Sequence, residues 1–305
     1  MILQVKPLRF EFQALDPISF PPGLAANTFR GAFGEIFRRI ACQPDCPGAR
    51  SCPRASSGDC AYARMFEPRA NSTSSAPSPS GFADRPRPFV LRAASLDGCH
   101  FETGERFSLD VNVFDQDLPA LGYFREAFAR LCEEGLGPGR PRIELSAATE
   151  LPAVQAGLAP GSGSVVRIKV FFLTPTELKS GGEILREPRF DALLSRTRDR
   201  ISGLIALYQP QASTLQPDFR GMGERACAIR TIASHIEQVD YERRSSRTGQ
   251  RHSLGGFTGE AEYEGDLAEF VPWLEAARWT GVGRLTVWGN GMLRVEAQET
   301  PCGGI

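Results

Sequence analysis

Residues 254–295 open L-G-G-F-T-G-E-A-E-Y-E-G-D-L, continue through a helical stretch, and close W-T-G-V-G-R-L-T-V-W-G-N-G-M-L-R-V. Two strand-like pieces, F-T-G-E-A-E-Y and L-T-V-W, flank an amphipathic helix near Leu267 to Arg278. Glycines punctuate both strands and the turn after the helix. Glycine in a strand costs stability and fills no space. This density points to backbone that must come close to something, such as another chain or a phosphate.

Upstream, the same kinds of element recur. V-V-R-I-K-V-F-F-L from Val165 reads as a strand, and a helix near Phe190 to Tyr208 carries Phe190, Leu193, Leu194, Ile201, Leu204 and Ile205 on one side. The first half opens with a strand near Leu3 to Phe12. A helix near Leu24 to Ala41 follows, with Phe29, Phe33, Ile36, Phe37 and Ile40 at helical spacing. F-S-L-D-V-N-V-F alternates cleanly from Phe107 and predicts a half-buried strand. A helix near Leu118 to Glu134 ends in G-L-G-P-G-R, and R-I-E-L follows as a strand. A Gly/Pro/Ser stretch ending at Ser164 separates the halves.

Each half therefore reads strand, helix, strands, helix, glycine turn, strand. That is the β-α-β-β-α-β plan, and its repetition implies a tandem duplication. The expected fold class is α+β, with two tandem ferredoxin-like domains spanning 1–158 and 165–298. The first carries a Cys-rich insert at 42–60 and a flexible Ser/Pro-rich loop at 69–88.

The chain has 305 residues, 41% of them hydrophobic, and a formal net charge of -1. No apolar run approaches the ~18 residues of a membrane span. Met1 leads directly into a strand-like stretch with no secretory pattern, so the expected location is the cytoplasm. A balanced charge excludes a generally basic nucleic-acid binder and leaves a local patch as the means of binding any phosphate-bearing ligand. The best patch is E-R-R-S-S-R-T-G-Q. Arg243, Arg244, Arg247 and Arg251 lie together with Ser245, Ser246 and Thr248, a set suited to phosphate oxygens. A solvated arginine loop is the plainer alternative.

Cys42, Cys46, Cys52 and Cys60 are interleaved with Pro44, Pro47, Gly48, Pro53 and Gly58. Four thiolates in tight turns can hold zinc tetrahedrally as a structural staple. Free thiols, an iron–sulfur cluster or disulfides stay open. Asp115 and Asp117 read as a strand-end turn. No Ser-His-Asp order, phosphate-binding loop or dinucleotide fingerprint is present.

T-P-T-E-L-K-S-G-G-E-I-L-R-E-P-R-F with its Arg-rich helix, the Arg/Ser segment, and G-G-F-T-G…V-P-W-L…G-V-G-R…W-G-N-G resemble, in this order, the CRISPR precursor-RNA processing endoribonucleases of the RAMP superfamily. N-T-F-R-G-A-F-G, C-A-Y-A-R-M-F-E-P and Y-F-R-E-A-F…G-L-G-P-G-R resemble one subgroup. The resemblance implies binding of CRISPR repeat RNA and, as partners, other effector subunits. It implies cleavage by the neighbouring 2′-hydroxyl with no cofactor, giving a 2′,3′-cyclic phosphate. A non-cleaving RNA-binding subunit is the alternative it leaves open.

Gly281, Gly283, Gly289 and Gly291 read either as a loop that lets RNA backbone approach, with Arg284 on a phosphate and Trp279 or Trp288 against bases, or as turns and a β-bulge with the tryptophans in the core. The sequence departs from the family in its histidines. The first-domain helix R-G-A-F-G-E-I-F-R-R-I has none, and Thr280 and Gly281 precede V-G-R where members carry one. His252, beside the arginines, is the first candidate base, His235 the second, and Tyr241 a candidate hydroxyl donor. His100 reads as structural.

Overall fold

The computed structural model describes residues 1–42, 46, 51–57, 59–68, 85–137, 139–161, 163–212, 217–244 and 251–299. The expected flexible loop at 69–88 therefore falls outside the described residues, apart from its last four. The chain divides into two compact units, Val5–Val154, and Met1–Gln4 together with the chain from Gln155 onward.

The first unit builds one antiparallel sheet from β1 (Ile2–Ala14), β2 (Phe89–Arg92), β3 (Arg106–Val113) and β4 (Ile143–Glu150), in the order β2-β3-β1-β4. Its helices are α1 (Ala25–Ala41) and α2 (Ala120–Glu134). Alternation decides the faces. Leu8, Phe10, Phe12 and Ala14 of β1 are buried while Arg9 and Glu11 face outward. The helices cover the buried face with aromatic rings: Phe33 lies 4.8 Å from Phe128 and 4.9 Å from Phe124, and Phe10 lies 4.6 Å from Phe128. Asp97 caps α1 by accepting the Ala25 amide at 2.9 Å.

Between α1 and β2 the insert forms two short helices, Pro53–Ser57 and Ala61–Phe66. The second is pinned at both ends of its last turn. Phe66 packs 5.1 Å from Phe37 and 5.3 Å from Phe89, and the Arg64 guanidinium donates twice, at 2.7 Å, to the fully buried Asp115. Asp115 also accepts the amides of Asp117 and Leu118, which is the strand-end turn its position implies.

The second unit repeats the plan with β5 (Val165–Thr176), α3 (Phe190–Tyr208), β6 (Arg230–Val239), β7 (Gly256–Glu264), α4 (Val271–Thr280) and β8 (Leu293–Glu299). Its sheet order is β6-β7-β5-β8. In both sheets the first and third strands are central and the second and fourth are edges, so each unit is ferredoxin-like. Ile168, Val170, Phe172, Ala261 and Tyr263 point into the core beneath Leu193, Leu204, Trp273 and Leu274. The Tyr263 hydroxyl donates to Pro188 O at 2.6 Å, which fixes the turn into α3.

Two expectations change at the C-terminal helix. It begins at Val271, four residues after Leu267, with Pro272 in its first turn where the missing amide is harmless. L-T-V-W is not a strand. Thr286–Trp288 is a single 3-10 turn bounded by Leu285 at φ 61° and Gly289 at φ 82°, and the last strand starts only at Leu293. Among the described residues no helix is long and apolar enough to cross a membrane.

Candidate nucleic-acid interface

The three motifs of the second half converge on one place. T-P-T-E (174–177) is the end of β5, and its backbone is clasped from both sides. The Gly291 amide donates to Pro175 O at 3.0 Å, the Arg284 amide to Glu177 O at 3.1 Å, and the Val282 amide to Gly291 O at 2.9 Å. The Thr174 hydroxyl donates to Gly289 O at 2.9 Å. On the other side, a Cβ on Gly256 would lie 2.6 Å from Thr176 O.

The protein's own backbone comes close to several of these glycines. Gly281, Gly283, Gly289 and Gly291 have φ of 66°, 78°, 82° and 74°. A side chain on Gly283 would meet Glu177 O at 2.3 Å, and one on Gly291 would meet Val282 O at 1.9 Å. Close approach is therefore real, with Glu177 of T-P-T-E as the partner of Gly283 and the loop's own Val282 as the partner of Gly291. Arg284 is likewise engaged within the chain: its guanidinium pairs with the carboxylate of Glu177, which is 8% exposed. Trp288 and Trp279 are half-buried, with the Arg278 guanidinium 5.0 Å from the Trp279 ring.

The arginine ribbon springs from this knot. Glu242–Arg244 pairs with Arg251–Ser253, setting Arg243 opposite His252 and Arg244 opposite Arg251. At its foot the Leu254 amide donates to Tyr241 O at 2.6 Å, and Asn290 Nδ2 donates to Leu254 O at 2.9 Å. W-G-N-G therefore holds the ribbon by its base. A cleft of about 260 Å³ opens there, lined by Thr176, Glu177, Gln238, Asp240, Ser253 and Gly255 among others. Arg247, with Ser245, Ser246 and Thr248, lies outside the described residues.

The candidate bases do not form one cluster. His235 is exposed on β6 opposite Glu260. It is eight residues along the chain from Arg243, on a different ladder from the Arg243–His252 rung. His235 and His252 are thus alternatives. Near His235 the outer sheet face is charge-balanced. Lys169 Nζ bridges Glu260 at 3.0 Å and Glu262 at 2.9 Å, which holds the Glu262 carboxyl below its usual range and the Lys169 ammonium above its own. Tyr241 stands at the foot of the ribbon, closer to His252.

His100 lies in the first unit. On a small ribbon of Ile18–Ser19 against His100–Phe101, its Nδ1 lies 2.7 Å from Ser19 Oγ and its Nε2 lies 3.0 Å from Glu102 Oε1. The two contacts orient the imidazole ring. Residues 81 positions apart make the first contact, so no local pattern announces it.

The four insert cysteines come together. Cys60 and Cys52 are buried and Cys42 packs against Cys60. Burial, then the neighbouring Cys60 and Cys46 thiols, push the Cys42 thiol up to about 12.

Residues 170–293 match the family model of the CRISPR-associated endoribonuclease Cas6, and residues 3–162 match a family model described as an N-terminal domain. None of the curated proteins compared matches in sequence. Among solved structures, a Cas6 product complex shares 18% identity over 96% of this chain and 100% of that chain, with a TM-score of 0.56. Thermus thermophilus Cas6 shares 14% over 96% and 98%, with a TM-score of 0.50. A partial Cas6-RT-Cas1–Cas2 complex shares 11% over 97% of this chain and 46% of that chain, with a TM-score of 0.54. The second half of the chain thus carries a CRISPR-associated Cas6 endoribonuclease domain, and the fold of the whole chain is similar to that of solved Cas6 proteins.

Proposed function

We propose that this protein processes CRISPR RNA, binding the repeat of the precursor transcript and cutting it with no metal ion in the step. The 2′-oxygen attacks the adjacent phosphorus and the P–O5′ bond breaks. The 2′-hydroxyl proton passes to a protein base, and an acid protonates the departing 5′-oxygen. The products are a 2′,3′-cyclic phosphate and a 5′-hydroxyl. The observation that carries this reading is the arginine ribbon, fastened at its foot to the glycine knot inside the segment that matches the endoribonuclease model.

In this reading Arg243, Arg244, Arg247 and Arg251 neutralise phosphates, His252 is the base, and Tyr241 is a hydroxyl donor. His235 and His100 are the alternatives to His252. The protein works in the cytoplasm. Its partners are repeat RNA and other CRISPR proteins, in keeping with the complexes named for matching structures.

The test is single-turnover cleavage of a repeat RNA by His252→Ala, His235→Ala and His100→Ala. Loss of the base costs about 10²- to 10⁴-fold, expected for His252→Ala alone. An unchanged rate in His252→Ala with a collapse in one of the others would move the base to that residue. Replacing Arg243 and Arg244 together by Ala should lower the slope of log affinity against log salt by roughly 0.7 for each phosphate no longer neutralised on single-stranded RNA.

A second reading, an RNA-holding subunit that does not cut, is favoured by one observation: α1 carries no histidine. Tight binding with no product from the wild-type chain would establish it.

A further inference from the structure

The insert between α1 and β2 has no part in the β-α-β-β-α-β plan, yet it brings four sulfurs together. Cys42 follows the last residue of α1, and its amide still donates to Arg38 O at 2.9 Å. Its thiol makes side-chain contacts with both Cys60 and Cys46, and the Cys46 thiol in turn contacts Cys52. The sulfurs thus form one chain, Cys60–Cys42–Cys46–Cys52. Both ends accept backbone amides: Cys60 Sγ takes the Ala63 N–H at 3.5 Å, and Cys52 takes those of Ala55 and Arg54. Cys60 is 4% and Cys52 8% exposed.

This pattern separates the chemistries open to four cysteines. A disulfide joins each sulfur to one other, whereas Cys42 and Cys46 each touch two. None of the described cysteines is in a disulfide. Among the described residues no group of three or more His, Cys, Asp or Glu is already arranged to hold a metal ion. The thiols meet one another instead, so the site would close around the ion by short movements of sulfurs already in contact.

We propose that Cys42, Cys46, Cys52 and Cys60 bind a soft divalent cation, zinc, as a tetrathiolate that ties the insert to the end of α1. Four S–H bonds are exchanged for four S–Zn bonds: Zn²⁺ and four thiols give a complex of charge −2 and release four protons. The Arg54 guanidinium beside Cys52 offsets part of that charge. Four protein ligands leave no open position, so the ion is structural and takes no part in RNA chemistry. It fixes the segment that delivers Phe66 and Arg64 to the first unit's core.

The test uses the full chain purified under reducing conditions without chelator. Elemental analysis should find one zinc per chain. After zinc is withdrawn and Co²⁺ supplied, absorption should show thiolate-to-cobalt charge transfer and the ligand-field bands of tetrahedral cobalt. Cys46→Ser should lose the charge-transfer intensity, and Cys227→Ser should keep it. Should Cys46→Ser fail to fold, the wild-type cobalt spectrum decides alone. A chain without metal, a disulfide among the four found by thiol titration, or iron with inorganic sulfide would each overturn the proposal.

Discussion

Gly291→Ala separates two roles for the glycine loop. The residue sits at φ 74°, and a Cβ there would lie 1.9 Å from Val282 O, a backbone atom with no side chain to swing away. Relief requires Val282 and Gly291 to part, which breaks the Val282 amide bond to Gly291 O at 2.9 Å and the Gly291 amide bond to Pro175 O at 3.0 Å. A left-handed non-glycine residue costs about 1 kcal/mol. With two hydrogen bonds at about 1 kcal/mol each, the loss is about 3 kcal/mol. At a denaturant slope of about 2 kcal/mol/M, the urea midpoint of RNA-free protein should fall by roughly 1.5 M. Gly31→Ala is the control. It lies within α1 with open space around its Cβ position, and should gain about 1 kcal/mol. If Gly291→Ala unfolds at the wild-type midpoint yet loses RNA affinity, the glycine serves RNA approach and the structural role is wrong.

Two further outcomes follow from single ion pairs. Arg284→Ala leaves the Glu177 carboxylate buried without its guanidinium. It should cost about 1–2 kcal/mol, discounted because Arg284 itself is half-exposed. In a Glu177→Gln background the same change should cost under about 0.5 kcal/mol, and equal losses in both backgrounds would refute the pairing. Arg142 donates to the Asp16 carboxylate at 3.0 and 3.2 Å, which holds that carboxyl below its usual range. A depressed carboxyl stabilises the fold above its unfolded pKa of about 3.9 and loses that contribution as pH falls through the folded value. Asp16→Asn should therefore lower the urea midpoint at about pH 7, with the gap closing toward about pH 2. A gap independent of pH would contradict it.

Much of the fold is legible because phenylalanine periodicity is loud. Phe29, Phe33 and Phe37 announce the buried face of α1, and the alternation from Phe107 announces β3. The repeated order of elements then fixes the two ferredoxin-like units. L-T-V-W misleads because its alternation is genuine. Leu285 and Gly289 turn the backbone left-handed, so Thr286–Trp288 closes a turn. The glycines are legible as a demand for close approach and illegible as to partner, since the T-P-T-E that meets Gly283 lies about a hundred residues upstream. For the same reason Glu177 is invisible as the partner of Arg284, and Ser19 and Glu102 as partners of His100. Cysteine spacing locates a cluster in the insert, but only the folded chain shows which sulfurs touch.

The most direct measurement is to incubate the purified protein with the repeat RNA of its own locus in excess EDTA and to determine the ends of the products. The account predicts a single cut, with a 2′,3′-cyclic phosphate on one fragment and a 5′-hydroxyl on the other. RNA that is bound tightly and left intact, or fragments ending in a 3′-hydroxyl, would contradict it.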